Sequence, residues 1–289
     1  MTIGGHCLAM HNGALVSCGG HAGKNYRDSF GMGLKSSLRC LQLDAISRSW
    51  KFHSVLNEDK EYMRTAVTTK AGTFLLGFDY PLKLEHLPEK TKKWRQVDFD
   101  DPDGNFLGLL NHTSAVVDQS NQIVWIFGPE NVSLLHLVKR SISKLASKLN
   151  VPRYNPRCSY LPNTKKIIIT GGTKWIPGPD GDGDFGEILD STEIFDTEDF
   201  TITMASPMNH KRDAHGIGTI TIQGEDRVAV FGGTTGSKWN RGLISLDNLD
   251  LELYNSQTDV WELSKIKLKE NYDEVTCVTV KLGEILSKM

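Results

Sequence analysis

Five short apolar runs recur along the chain, each ending at glycine: ALVSCGG (14–20), TFLLG (73–77), IVWIFG (123–128), IIITGG (167–172) and VAVFGG (228–233). Every run is rich in β-branched or aromatic residues and too short for a helix, so each reads as a buried strand. The closing glycines permit positive φ and a close backbone approach where the strand ends.

A second pattern follows each run. Two apolar residues stand seven positions apart across a polar stretch: Leu43/Trp50, Leu87/Trp94, Leu135/Ile142, Phe195/Ile202 and Tyr254/Trp261. Two strands joined by a short turn account for that spacing. A third pattern precedes each run. A strand beginning near His6, Arg64, His112, Arg157 or His215 leads through a turn into the glycine run, most clearly at Asn12-Gly13. Each unit therefore holds four antiparallel strands, a to d, at a period of about 44 to 60 residues. Four-stranded units at this period are blades of a β-propeller, and the predicted fold class is all-β. Between Ser133 and Asn150 the residues Leu134, Val138, Ile142, Leu145 and Leu149 also fit an amphipathic helix. The strand reading is kept there because neighbouring units flank the segment on both sides.

At these residues the chain resembles the Kelch-repeat family, in which a glycine pair closes strand b, an aromatic lies on strand c and a Trp on strand d. Blades one, four and five keep Gly-Gly, while blade two has Gly77-Phe78 and blade three Gly128-Pro129. Trp50, Trp94 and Trp261 hold the family Trp position, from which Ile142 and Ile202 depart. The resemblance implies a single propeller domain over 1–289, with blades at about 4–57, 62–100, 110–150, 151–208 and 212–268. The three tryptophans are then expected to be buried between adjacent blades. Residues 272–289 read as a partial sixth blade, with Val275–Val280 as its strand a and 284–289 as an open strand edge able to pair with another chain.

Composition narrows the function. Lys and Arg number 33 against 35 Asp and Glu, a formal charge of −2, which is not the balance of a nucleic-acid binder. No apolar run approaches the roughly 18 residues of a membrane span, and the N-terminus lacks a basic region followed by an apolar stretch. Cys7, Cys18, Cys40, Cys158 and Cys277 are scattered, odd in number and without a Cys-x-x-Cys, so reduced, mostly buried thiols and a cytoplasmic location are expected. The sequons at Asn111 and Asn131 are then chance matches.

In a propeller the blades are scaffold and binding residues come from loops. The resemblance implies use of the b–c and d–a loops, which share one face. Blades one, four and five carry b–c loops of about twenty residues, whereas those of blades two and three are short. Tyr26 and Arg27 in loop one, Lys238, Trp239 and Arg241 in loop five, and Arg212 in a d–a connection mix cations with aromatics. That mixture suits a protein or peptide partner, acidic with hydrophobic anchors. Gly181, Gly183 and Gly186 match a dinucleotide fingerprint formally, but Asp182 and Asp184 would repel a pyrophosphate and no helix pattern follows. Asp180, Asp182 and Asp184 resemble the start of a calcium loop, yet Phe185 and Ser191 stand where an EF-hand needs Gly and Glu. His6/His11 and His210/His215 are spaced for opposite faces of a strand, which disfavours shared metal ligation.

The expected function is a non-catalytic protein-interaction module, an adaptor or scaffold needing no cofactor. No nucleophile–base motif stands out, and no Walker or zinc-protease motif occurs. Two other readings stay open: a propeller enzyme acting on a small molecule or sugar, and an actin-linked scaffold. Relatives of the family that serve ubiquitin ligases carry an N-terminal dimerisation domain, whereas this sequence starts directly in blade one.

Overall fold

The computed structural model describes residues 3–22, 39–44, 46–57, 65–76, 83–100, 113–118, 122–177, 184–222, 225–239 and 242–269. Every regular element among them is a β-strand. Blade one is β1 (Ile3–His11), β2 (Ala14–Ala22), β3 (Arg39–Asp44) and β4 (Ser49–Val55); blade two is β5 (Thr65–Thr69), β6 (Gly72–Leu76), β7 (Lys83–Pro88) and β8 (Arg95–Asp98). Blade three is β9 (Ser114–Val117), β10 (Ile123–Phe127), β11 (Asn131–His136) and β12 (Ser141–Lys148). In blade four β13 (Arg157–Leu161) and β14 (Lys166–Thr170) pair on to β17 (Thr192–Asp196) and β18 (Ile202–Ala205). In blade five β19 (Gly216–Ile222) and β20 (Glu225–Phe231) pair on to β23 (Asp250–Asn255) and β24 (Val260–Lys267). The intervening β15 (Thr173–Pro177), β16 (Asp184–Ile188), β21 (Thr234–Trp239) and β22 (Gly242–Asp247) form a further four-stranded sheet. The fold is thus an all-β propeller of five four-stranded antiparallel blades.

The sequence signals map onto this ladder directly. Leu43↔Trp50, Phe195↔Ile202 and Tyr254↔Trp261 are cross-strand partners of the c–d hairpins, which is what a seven-residue spacing across a tight turn requires. At the first a–b turn Asn12 and Gly13 have φ of 50° and 68°, the two positive values that a twist-matched two-residue hairpin needs. The stripe of residues 134–149 is two strands: Leu135 and Ile142 are buried, and Val138 stands exposed at the turn between β11 and β12.

Two compact units hold the blades. The first contains blades one and two; Cys7, Val16, Cys18, Cys40 and Leu56 of blade one pack on Leu75, Leu87 and Trp94 of blade two. The second contains blades three (apart from Val138–Ser141), four and five. Trp125, Phe127 and Val132 pack on Ile167, Ile169 and Phe195 of blade four, whose other face sets Leu161, Ile168 and Met208 against Val228, Val230, Tyr254 and Trp261 of blade five.

Two of the three strand-d tryptophans are buried as expected. Trp94 donates to Ser54 Oγ at 2.9 Å and Trp261 to the Ser206 carbonyl at 2.9 Å, each reaching the blade before its own. Trp50 corrects the expectation. It belongs to the first blade, lies on the face turned away from Trp94, and is 46% exposed beside the exposed Phe52. The cysteine expectation is corrected too. Cys18 and Cys40 are partners on β2 and β3, with Cα atoms 4.1 Å apart, and they form a disulfide. Cys158 is a buried thiol whose pKa desolvation pushes up to about 12. The expected partial sixth blade and its open edge lie outside the described residues.

Candidate functional site

The b–c connections of blades four and five are not irregular loops. Each leaves its glycine pair as a β-hairpin, β15–β16 in blade four and β21–β22 in blade five, and the two hairpins join through Gly186↔Lys238 and Glu187↔Ser237. The glycines make the exit possible. Gly172 has φ of 90°, and a Cβ there would lie 2.5 Å from the Tyr154 carbonyl; Gly233 has φ of 82°, with its Cβ 2.6 Å from the Asp213 carbonyl.

A clamp is repeated in both blades. In the d–a connection before blade four, Tyr154 N–H donates to Thr173 O at 2.7 Å and Thr173 N–H returns to Tyr154 O at 2.8 Å. Before blade five, Asp213 and Thr234 exchange the same two bonds at 3.0 and 2.9 Å. Each d–a connection thereby grips the first residue of the hairpin beside it, which brings both loop sets to one place.

Beneath each clamp lies a buried arginine. Arg153 donates to the Gly171 carbonyl at 3.1 Å, to Ser191 O at 2.9 Å and to Glu193 Oε1 at 2.7 Å. Arg212 donates to the Gly232 carbonyl at 2.9 Å, to Asp250 O at 2.8 Å and to Glu252 Oε1 at 2.9 Å. The remaining carboxylate capacity is filled from Asn150 and Asn209, through backbone and side-chain amides. Burial pulls both guanidinium groups below their usual pKa, and the paired glutamates oppose the shift. A charge taken fully out of water persists only where it is paired and hydrogen-bonded, and both pairs meet that condition. In blade two, buried Glu85 likewise accepts from Asn57 N–H at 3.0 Å and from its side-chain amide at 2.7 Å.

Arg212 is therefore not a surface contact. It has no exposed side-chain area, and it positions the base of the blade-five hairpin instead. Lys238 and Trp239 do lie on β21, inside the hairpin sheet, as backbone positions opposite Leu243 and Gly242. Tyr26, Arg27 and Arg241 lie outside the described residues, as do Asp180 and Asp182 of the acidic stretch; Asp184 opens β16 opposite Pro177. His210 faces Asp250 at 3.1 Å while His215 is buried against Thr170 Oγ1 at 2.8 Å, so the pair does not converge.

Sequence reasoning missed the aromatic that the sheet exposes. Trp175, on edge strand β15, is 39% exposed and meets Tyr154 edge to face at a centroid distance of 6.4 Å. Lys211 pairs with Glu187 of β16 at 3.1 Å. The available signal was the strand-like content of TKWIP (173–177), TTGSKW (234–239) and GLISLD (242–247).

Five four-stranded blades define the class, a β-propeller, and comparison with known proteins agrees on the fold. No family model and no curated protein matches the chain. Among solved structures the chain is similar to YjhT, with a TM-score of 0.67 over 91% of this chain and 84% of that one, at 11% identity. At that identity the likeness is one of fold. No helix among the described residues is long and apolar enough to cross a membrane.

Proposed function

We propose that this chain is a non-catalytic protein-interaction module of the Kelch type, and that its partner docks on the hairpin sheet of blades four and five. The observation that carries the reading is the sheet itself. Two loops that propellers ordinarily leave separate are fused, clamped from below by Tyr154 and Asp213, and locked at their bases by Arg153 and Arg212. A rigid platform loses little entropy on binding, and an exposed Trp braced by a Tyr is the side-chain type that anchors interfaces. The buried charges under the platform are engaged in holding the scaffold, and among the described side chains the sheet exposes Trp175.

The test is quantitative co-purification from extract with the wild type, Trp175→Ala and Trp50→Ala. Trp50 is also exposed but sits on blade one, so it controls for loss of a surface aromatic. The reading expects a set of retained proteins whose binding falls about thirtyfold in Trp175→Ala, the equivalent of about 2 kcal/mol, and holds in Trp50→Ala. Equal retention by all three proteins removes the hairpin sheet from consideration.

A further inference from the structure

The described part of blade one places three cysteines in one row. Cys7 on β1 is the register partner of Cys18 on β2, and Cys18 is the register partner of Cys40 on β3. Register partners in an antiparallel sheet project to the same face, with Cβ atoms about 4.5–5.5 Å apart. All three are buried, at 2% exposure or less, in the apolar cluster formed with Leu75, Leu87 and Trp94 of blade two. Cys18 is bridged to Cys40, and Cys7 lies on the opposite side of Cys18 from that bridge.

We infer that Cys7, Cys18 and Cys40 form a thiol–disulfide exchange site in which the bridge moves between Cys18–Cys40 and Cys7–Cys18. Exchange is a displacement at sulfur, with the attacking, central and leaving sulfurs in line. Three neighbouring strands supply that arrangement: Cys18 is central, Cys40 leaves on one side and Cys7 attacks from the other. In the step Cys7 gives up its proton, a Cys7–Cys18 sulfur–sulfur bond forms, and the Cys18–Cys40 bond breaks. The electron pair leaves on the Cys40 sulfur, which takes up a proton. Nothing is oxidised or reduced overall, so no outside reagent is needed. One isomer ties β2 to β3 and closes the chain between residues 18 and 40 into a covalent loop; the other ties β1 to β2 and leaves that loop open.

The experiment uses the full chain held without reductant at pH 7, 8 and 9, quenched in acid, alkylated and digested with trypsin. Cys7 and Cys18 fall together on peptide 1–24 and Cys40 on peptide 40–48, so the two isomers have different masses. The inference expects the cross-linked pair in the wild type together with a fraction of internally bridged 1–24 and alkylated 40–48. The rate at which that fraction appears should rise from pH 7 to pH 9, following the thiolate. Cys40→Ser, its Cys7 and Cys18 thiols oxidised by dissolved oxygen, should carry the Cys7–Cys18 bridge throughout, and Cys7→Ser only the cross-link. Recovery of Cys7 as an alkylated thiol at every pH, in both the wild type and Cys40→Ser, overturns the inference. So does recovery of all three wild-type cysteines as thiols.

Discussion

At the scale of single residues, the chain repeats one solution where a strand-b glycine pair turns outward. Arg153 with Glu193 and Arg212 with Glu252 stand the same 40 residues apart, each with an asparagine three positions before the arginine. Removing one partner strands a buried charge. Glu252→Ala or Arg212→Ala is therefore expected to cost about 3–5 kcal/mol, while Arg212→Met with Glu252→Leu costs less than the sum of the single changes. Urea unfolding of the three variants measures this, and additive losses would show that the pair is not coupled. The tryptophans separate by position. Trp94→Ala and Trp261→Ala each remove a packed indole and its hydrogen bond, for about 3–5 kcal/mol; Trp50→Ala should stay within about 0.5 kcal/mol. Sequence alone put all three in one class, because the spacing that identifies strand d says nothing about which neighbour covers it.

At the scale of elements, the blade strands were legible because their pattern is local: an apolar run, a glycine stop, and a partner seven residues on. The hairpin sheet was not. Its defining contacts, Gly186↔Lys238 and Glu187↔Ser237, join residues about fifty apart in different repeats, and no periodicity within one repeat reports such a pairing. The acidic stretch before β16 also read more readily as a solvated loop than as a prelude to a strand. Since the hairpins emerge through positive-φ glycines pressed against carbonyls, Gly233→Ala should destabilise by more than the roughly 1 kcal/mol of the conformational term alone. A thermal melt unchanged from wild type would show that the exit does not depend on that backbone geometry.

At the scale of the whole molecule, blades pack on their neighbours within each unit, and histidines sit inside those junctions. His215 is fully buried between Gly171 and Gly233; burial, then Arg157, Arg212 and Arg153, push its pKa well below 6.5, and burial lowers His11, His53 and His86 as well. The unfolded chain takes up protons near pH 6.5 that the native state refuses. Stability is therefore full above that pH and falls below it, by up to about 1.4 kcal/mol per pH unit for His215. Unfolding free energies at pH 7.5 and 5.5 should show the loss, and His215→Gln should flatten it; an unchanged slope would mean that His215 is not held neutral. The fusion of two loops into one sheet is tested most directly by backbone hydrogen exchange in the native chain. Amides of Asp184–Ile188 and Thr234–Trp239 should exchange at least about a hundredfold more slowly than unstructured peptide, in the range of the blade strands beside them. Exchange of both segments at the unstructured rate would contradict the sheet, and with it the platform on which the proposed partner docks.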